Sequence, residues 1–165
     1  MISCGLININ GLSGKDQTVI STLETGEVDL MFLTETRVPV NSTLGFNPTW
    51  IVSHNSSTKA QQARGGRLTT DGIMIVAKNK AIADSIRLLH EQKGLAVIKV
   101  GSITIACVYS PPSDDDQKIL ELVEKAYELD EEQELLILGD FNARLGAFNG
   151  DHTLNRRGRL FLALC

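Results

Sequence analysis

The chain has 165 residues, 42% of them hydrophobic, and a formal charge of −4, enough apolar material for the core of one ordinary domain. It contains no run of about eighteen apolar residues, which excludes an ordinary transmembrane helix, and Met1-Ile2-Ser3-Cys4-Gly5 lacks the basic region of a signal peptide. Three cysteines without short spacing argue against a disulfide framework or a zinc site, so an intracellular location, nuclear or cytoplasmic, is expected.

The first apolar run predicts a strand over 2–9, and Asp16 near an N-cap with Gly26 as a stop predicts a helix over 16–25. A second strand is expected over 29–34, and the strand–helix–strand order predicts a parallel crossover. A weak strand at 50–53 leads into a long polar loop, Ser53 to Thr70, and then a glycine-led strand at 72–77. Strands near 84–89, 94–100 and 102–109 follow, the last two forming an antiparallel hairpin that turns at Gly101-Ser102. A helix is expected over 113–130. Ser113 and Asp116 have capping-box spacing at its start, and Ile119, Leu120, Val123, Ala126 and Tyr127 form its packing stripe. Strand 134–138 and a helix from 155 complete the pattern. Without a repeat or a linker, this reads as one domain. The mixture of parallel and antiparallel pairing predicts an α/β sandwich with mixed sheets.

Residues 113–134 hold ten acidic and two basic side chains, a local charge of −8, which leaves +4 on the remainder. The acidic stretch reads as the solvated face of a helix. The remainder places cations at Lys59, Arg64 and Arg67 and at Arg144, Arg156, Arg157 and Arg159, compatible with phosphate binding. Arg64-Gly65-Gly66-Arg67 is either a solvated loop or a contact to a nucleic-acid backbone. Cys107 is expected to be a small core residue. His54 and His90, placed in or beside loops, and His152, in a glycine-rich stretch, sit in no motif that recommends them for chemistry.

Four strands deliver a polar residue at or near one end: Asn8, Glu35, Tyr109, and Asp140 with Asn142. Sheet architectures gather strand ends into one cleft, so these residues can converge. Asp-x-Asn after the strand Leu135-Leu136-Ile137-Leu138 either caps backbone groups or holds a phosphate ester and an activated water. Glu35 is either a metal ligand or the partner of a cation such as Arg37. A carboxylate at the end of a buried strand favours the former. Asn8 and Tyr109 each have the same two readings, a structural hydrogen bond or a contact to the reacting groups. Asn10 is the weaker candidate, because Asn-Gly favours turns.

Asn8-Ile9-Asn10-Gly11-Leu12, Thr34-Glu35-Thr36, Tyr109-Ser110-Pro111-Pro112 and Gly139-Asp140-Phe141-Asn142-Ala143 resemble the successive motifs of the endonuclease/exonuclease/phosphatase superfamily, in its order and roughly its spacing. Asn155-Arg156-Arg157-Gly158-Arg159-Leu160 is similar to a segment found in the apurinic-type endonuclease domains of non-LTR, LINE-like retrotransposons. The resemblance implies a DNase I-like α/β fold, two packed mixed sheets flanked by helices in four layers. It implies a DNA endonuclease that nicks by metal-assisted water attack, with Mg²⁺ (or Mn²⁺) held by Glu35 and Asn8. Tyr109 then donates to a phosphate oxygen, Asp140 positions or deprotonates the water, and Asn142 binds the scissile phosphate. Arg37 and Arg144, beside these motifs, are the candidate nucleic-acid contacts. The family pattern continues with more strands, another aspartate and a closing Ser-Asp-His. The chain is therefore expected to correspond to the N-terminal two-thirds or so of such a domain, lacking the final strands and impaired in rate. Asp151-His152 follows Gly150 and is not that motif. In a full-length relative a reverse transcriptase domain shares the chain. The alternatives are a catalytically inactive remnant that binds nucleic acid or protein, and a phosphatase of the same superfamily.

Overall fold

The computed structural model describes residues 2–38, 44–55, 71–148 and 150–164. Lys59, Arg64 and Arg67, with the glycines between the two arginines, lie outside the described residues, as do most of the loop to Thr70 and Cys165. Among the described residues, eight strands form two four-stranded sheets. The first contains β1 (Cys4–Asn8), β2 (Leu30–Thr34), β3 (Ile51–Asn55) and β4 (Ile73–Ala77) in the order β1-β2-β4-β3. The second contains β5 (Ile86–Gln92), β6 (Leu95–Val100), β7 (Ile103–Tyr109) and β8 (Leu135–Asp140) in sequential order. β1–β2 and β7–β8 are parallel, and the remaining pairs are antiparallel, including the β6–β7 hairpin with Val100 opposite Ile103. The expected mixed α/β sandwich is the observed fold.

Period-two alternation divides the inner strands between two cores. Leu30, Phe32, Ile73 and Ile75 meet Ala96, Ile98, Ile105 and Cys107 between the sheets. Met31, Leu33, Met74 and Val76 face the other way, onto α1 (Asp16–Glu24) through Val19 and Leu23. Val97, Ala106 and Val108 pack under α3 (Asp116–Glu128). Burying a side chain such as Phe32 or Met74 contributes roughly 1.5–3 kcal/mol. Cys107 is fully buried, as expected for a small core residue, and desolvation pushes its thiol pKa up.

Several local expectations change. Ser113 does not cap α3, because Asp114 N donates to Pro111 O at 3.0 Å and keeps Ser113 inside a turn. Asp115 is the cap, its carboxylate accepting from Lys118 N at 2.8 Å. Ile119, Leu122 and Ala126 form the buried stripe of α3, whereas Tyr127 is 64% exposed. Asp16 lies in the first turn of α1 and accepts from Gly45 N at 3.0 Å, tying a loop down instead of capping the helix. The strand expected near 84–89 begins later. Asn79 caps a short α2 (Lys80–Asp84) by accepting from Ile82 N at 3.0 Å, so β5 starts at Ile86. His54 and His90 lie near the ends of strands β3 and β5, beside the connections that follow, as expected. A last helix, α4 (Arg156–Leu164), follows the loop after β8. Among the described residues no helix is long and apolar enough to cross a membrane.

Candidate active site

β1 and β8 are the outer strands of their sheets and touch each other across the sandwich. Their C-terminal residues, Asn8 and Asp140, therefore face one another although 132 positions separate them. Asn8 Nδ2 donates to Asp140 Oδ2 at 2.6 Å and to Glu35 Oε1 at 2.9 Å. Both hydrogens of the amide are thereby used. Asn8 Oδ1 accepts from Asn10 N at 3.0 Å, and an amide oxygen retains a second lone pair.

Glu35 lies one residue past β2, with φ +53°. This left-handed step breaks the strand alternation at the point where the carboxylate must turn toward Asn8. Gly11 N holds the Glu35 carbonyl at 2.7 Å, while Thr36 N and Arg37 N donate to Gly72 O and Asp71 O at 3.2 and 2.9 Å. Of the five non-glycine residues with left-handed backbone among the described residues, Asn10, Glu35, Arg37 and Asn142 lie here. Such conformations cost about 1–3 kcal/mol each and concentrate where a side chain must be aimed.

The Arg37 guanidinium pairs with Glu35 Oε2. Burial is the largest influence on the Glu35 carboxyl and raises its pKa. The hydrogen bonds from Asn8, Arg37 and Tyr109, with the Arg37 charge, outweigh it and hold the group below its ordinary range. Burial also pushes the Tyr109 phenol well up, helped by the negative charges of Glu35 and Asp140. Tyr109 therefore stays a protonated donor. It is paired in register with Asp140 across β7 and β8.

Gly139 allows that close register. A Cβ at this position would lie 2.0 Å from Val108 O, so a side chain would force β7 and β8 apart. Beyond it, Asp140 Oδ1 accepts from Asn142 N at 3.0 Å, and Asn142 Nδ2 donates to Ser110 O at 3.0 Å. Ser110 N in turn donates to Asp140 O at 3.0 Å.

Asn8, Glu35, Tyr109, Asp140 and Asn142 thus come together at one end of the sandwich. Arg37 also lies there, engaged by Glu35, whereas Arg144 is exposed on the following loop with Thr153 Oγ1 at 3.5 Å. Two basic residues of the expected patch are occupied elsewhere: Arg156 pairs with Asp116 at 2.8 Å, and Arg157 is buried. The sequence reading placed Arg157 among the phosphate-facing cations and gave Asn155 no role of its own, yet both hold the loop after Asp140. One signal was available, because Arg157 and Phe161 share a helical face four residues apart.

The donor chemistry suits a hard divalent cation. All candidate ligands are oxygens, and two carboxylates converge on one amide nitrogen, a concentration of negative charge that Arg37 partly offsets. No group of three or more His, Cys, Asp or Glu residues capable of holding a metal occurs among the described residues.

The family model for the endonuclease/exonuclease/phosphatase family matches residues 5–163. The chain belongs to this family. Solved structures that share its fold include the following three. A 3' phosphatase, NExo, from Neisseria bound to product DNA hairpin matches with a TM-score of 0.63 and 14% identity, covering 99% of this chain and 70% of that one. A 3'-5' exonuclease (NExo) from Neisseria meningitidis matches with a TM-score of 0.57 and 17% identity, covering 86% and 58%. An AP endonuclease from Archaeoglobus fulgidus matches with a TM-score of 0.55 and 18% identity, covering 89% and 60%. The chain therefore spans 58–70% of the length of these family-fold structures. Among curated proteins none matches. The chain thus has the DNase I-like fold of a family of nucleases and phosphatases, with an acid–amide cluster gathered at one end of the sandwich.

Proposed function

We propose that this family member is a Mg²⁺-dependent DNA endonuclease of the LINE-like retrotransposon type. The observation that carries the reading is the single Asn8 amide bridging Glu35 and Asp140 across two sheets. A solvent-facing cluster with two carboxylates is hard to explain by packing, since its like charges oppose one another. The segment Asn155–Leu160 supports the LINE-like assignment, and the DNA in the Neisseria neighbour supports DNA as substrate. In a full-length relative a reverse transcriptase domain would share the chain.

Glu35, with Asn8 Oδ1, would hold Mg²⁺ (or Mn²⁺), which supplies neutralisation of charge on a phosphoryl oxygen. The chain's own groups divide the remaining work. Asp140 Oδ2 orients the attacking water and takes its proton. The Tyr109 hydroxyl, held protonated, would turn its one O–H from Glu35 to a non-bridging oxygen. Asn142 keeps one amide N–H on Ser110 O and offers the second to the scissile phosphate. Arg144 contacts a flanking phosphate, and Arg37, which gives Nη2 to Glu35, adds positive charge beside it.

Conversion of supercoiled plasmid to nicked circle in Mg²⁺, abolished by EDTA and by either Glu35→Ala or Asp140→Ala, is the expected result. Equal nicking by the wild type and both variants would overturn the reading. A second reading, removal of a 3' phosphate, takes its support from the activity named for the Neisseria neighbour. Phosphate release from a 3'-phosphorylated oligonucleotide without plasmid nicking would favour it.

A further inference from the structure

Arg157 is 6% exposed, yet among the described residues its guanidinium forms no ion pair. An arginine placed so deep is costly unless its donors are satisfied. Here they are satisfied by main-chain carbonyls from two separate turns. Nη1 donates to Ser110 O at 3.0 Å and to Phe141 O at 2.9 Å, and Nη2 donates to Pro111 O at 2.7 Å and to Asp114 O at 2.5 Å. Ser110, Pro111 and Asp114 belong to the turn that follows Tyr109. Phe141 sits between Asp140 and Asn142. The planar fork suits this task, because it holds several acceptors at fixed angles as a lysine cannot.

The neighbours of Arg157 act on the same loop. Asn155 Nδ2 donates to Asn142 O at 2.9 Å, and its Oδ1 accepts from Arg144 N at 3.0 Å and Gly158 N at 2.7 Å. Gly158 itself lies flat on this loop, where a Cβ would fall 1.8 Å from Arg144 O. The first turn of α4 is thus a clamp on the backbone that carries Asp140 and Asn142.

We propose that Arg157 is a positioning residue: it locks the Tyr109-Ser110-Pro111 turn against the Asp140-Phe141-Asn142 turn, so that Tyr109, Asp140 and Asn142 act on one phosphate as a rigid set. This deepens the phosphodiesterase reading and rests on it for its catalytic consequence. The mechanical part is independent of that reading. Without the fork, the Ser110 N–H to Asp140 carbonyl bond and the Asn142 N–H to Asp140 carboxylate bond lose their support from behind.

The test compares wild type with Arg157→Gln and with Arg157→Lys, which retains the charge if the former folds poorly. Site-resolved amide exchange is followed at Ser110 and Asn142, with Val97 and Ile105 as core references. Exchange at the first pair rises roughly tenfold or more in Arg157→Lys while the core pair is unchanged. Mg²⁺-dependent nicking, measured where every variant is folded, then shows kcat reduced roughly tenfold or more with KM little changed. Unaltered protection at Ser110 and Asn142, or equal loss at the core amides, overturns the proposal by leaving Arg157 either idle or a general stabiliser. Should wild type neither nick nor dephosphorylate DNA, the functional reading fails while exchange still decides the clamp.

Discussion

Exchanging Asn8 for aspartate keeps the shape of the side chain and reverses its hydrogen-bonding sense. The amide nitrogen that now donates to Glu35 at 2.9 Å and Asp140 at 2.6 Å becomes an oxygen facing two carboxylates. At such separations, with the dielectric of water, each repulsion is about 1.5 kcal/mol, and together about 3 kcal/mol. Two lost exposed hydrogen bonds add roughly 1 kcal/mol, while Arg37 and dissolved salt reduce the sum, so Asn8→Asp costs about 2–4 kcal/mol at neutral pH. For a chain of this size that is a fall in Tm of roughly 5–15 °C. Asn8→Ala removes the bonds without adding charge and costs only about 1 kcal/mol. Thermal melts of the three proteins at low and high salt, with and without Mg²⁺, provide the assay. The Asn8→Asp deficit shrinks in high salt, in Mg²⁺ and below the ordinary carboxylate pKa, where protonation relieves the repulsion. Equal stability of Asn8→Asp and wild type at neutral pH and low salt would refute the claim that one amide holds both acids.

The pH dependence of stability carries a second expectation. The Glu35 pKa is depressed in the native state below its ordinary 4.5, so the unfolded chain binds more protons in that window. Its contribution is full above pH 4.5 and is lost as pH falls through the lower native value. Urea unfolding over this range falls less steeply with acid for Glu35→Gln than for wild type, and parallel slopes would contradict the assignment. At the start of α3, Asp115→Ala costs about 1 kcal/mol in urea unfolding while Ser113→Ala is near neutral, since only Asp115 reaches an orphan backbone N–H. The opposite order would restore Ser113 as the cap.

Capping at α3 illustrates where local pattern stops being enough. Ser113 and Asp116 fit a capping box by spacing, and Asp115 fits a cap equally well. The choice was made by Pro111-Pro112, whose turn holds Ser113 away from the helix axis. The cations after β8 differ in the same way. Arg144, Arg156, Arg157 and Arg159 read alike as a basic run, but α4 docks with Arg157 inward, and only docking distinguishes it from its neighbours. Glu35 shows a third case, for both of its readings meet in one group: it pairs with Arg37 and also joins the acid–amide cluster.

Strand identity, mixed pairing and the four polar strand ends were determined by the sequence itself, because apolar runs, turn residues and short motifs act within a few positions of the chain. Tertiary structure alone decided which donor meets which acceptor. Asn8 and Asp140 have no local relation. They meet because each terminates an outer strand of a different sheet, and sheet packing brings those ends within hydrogen-bond distance. Hydrogen bonds are directional and short-ranged, so their partners depend on placement to within a fraction of an ångström, a precision that only the packed core supplies.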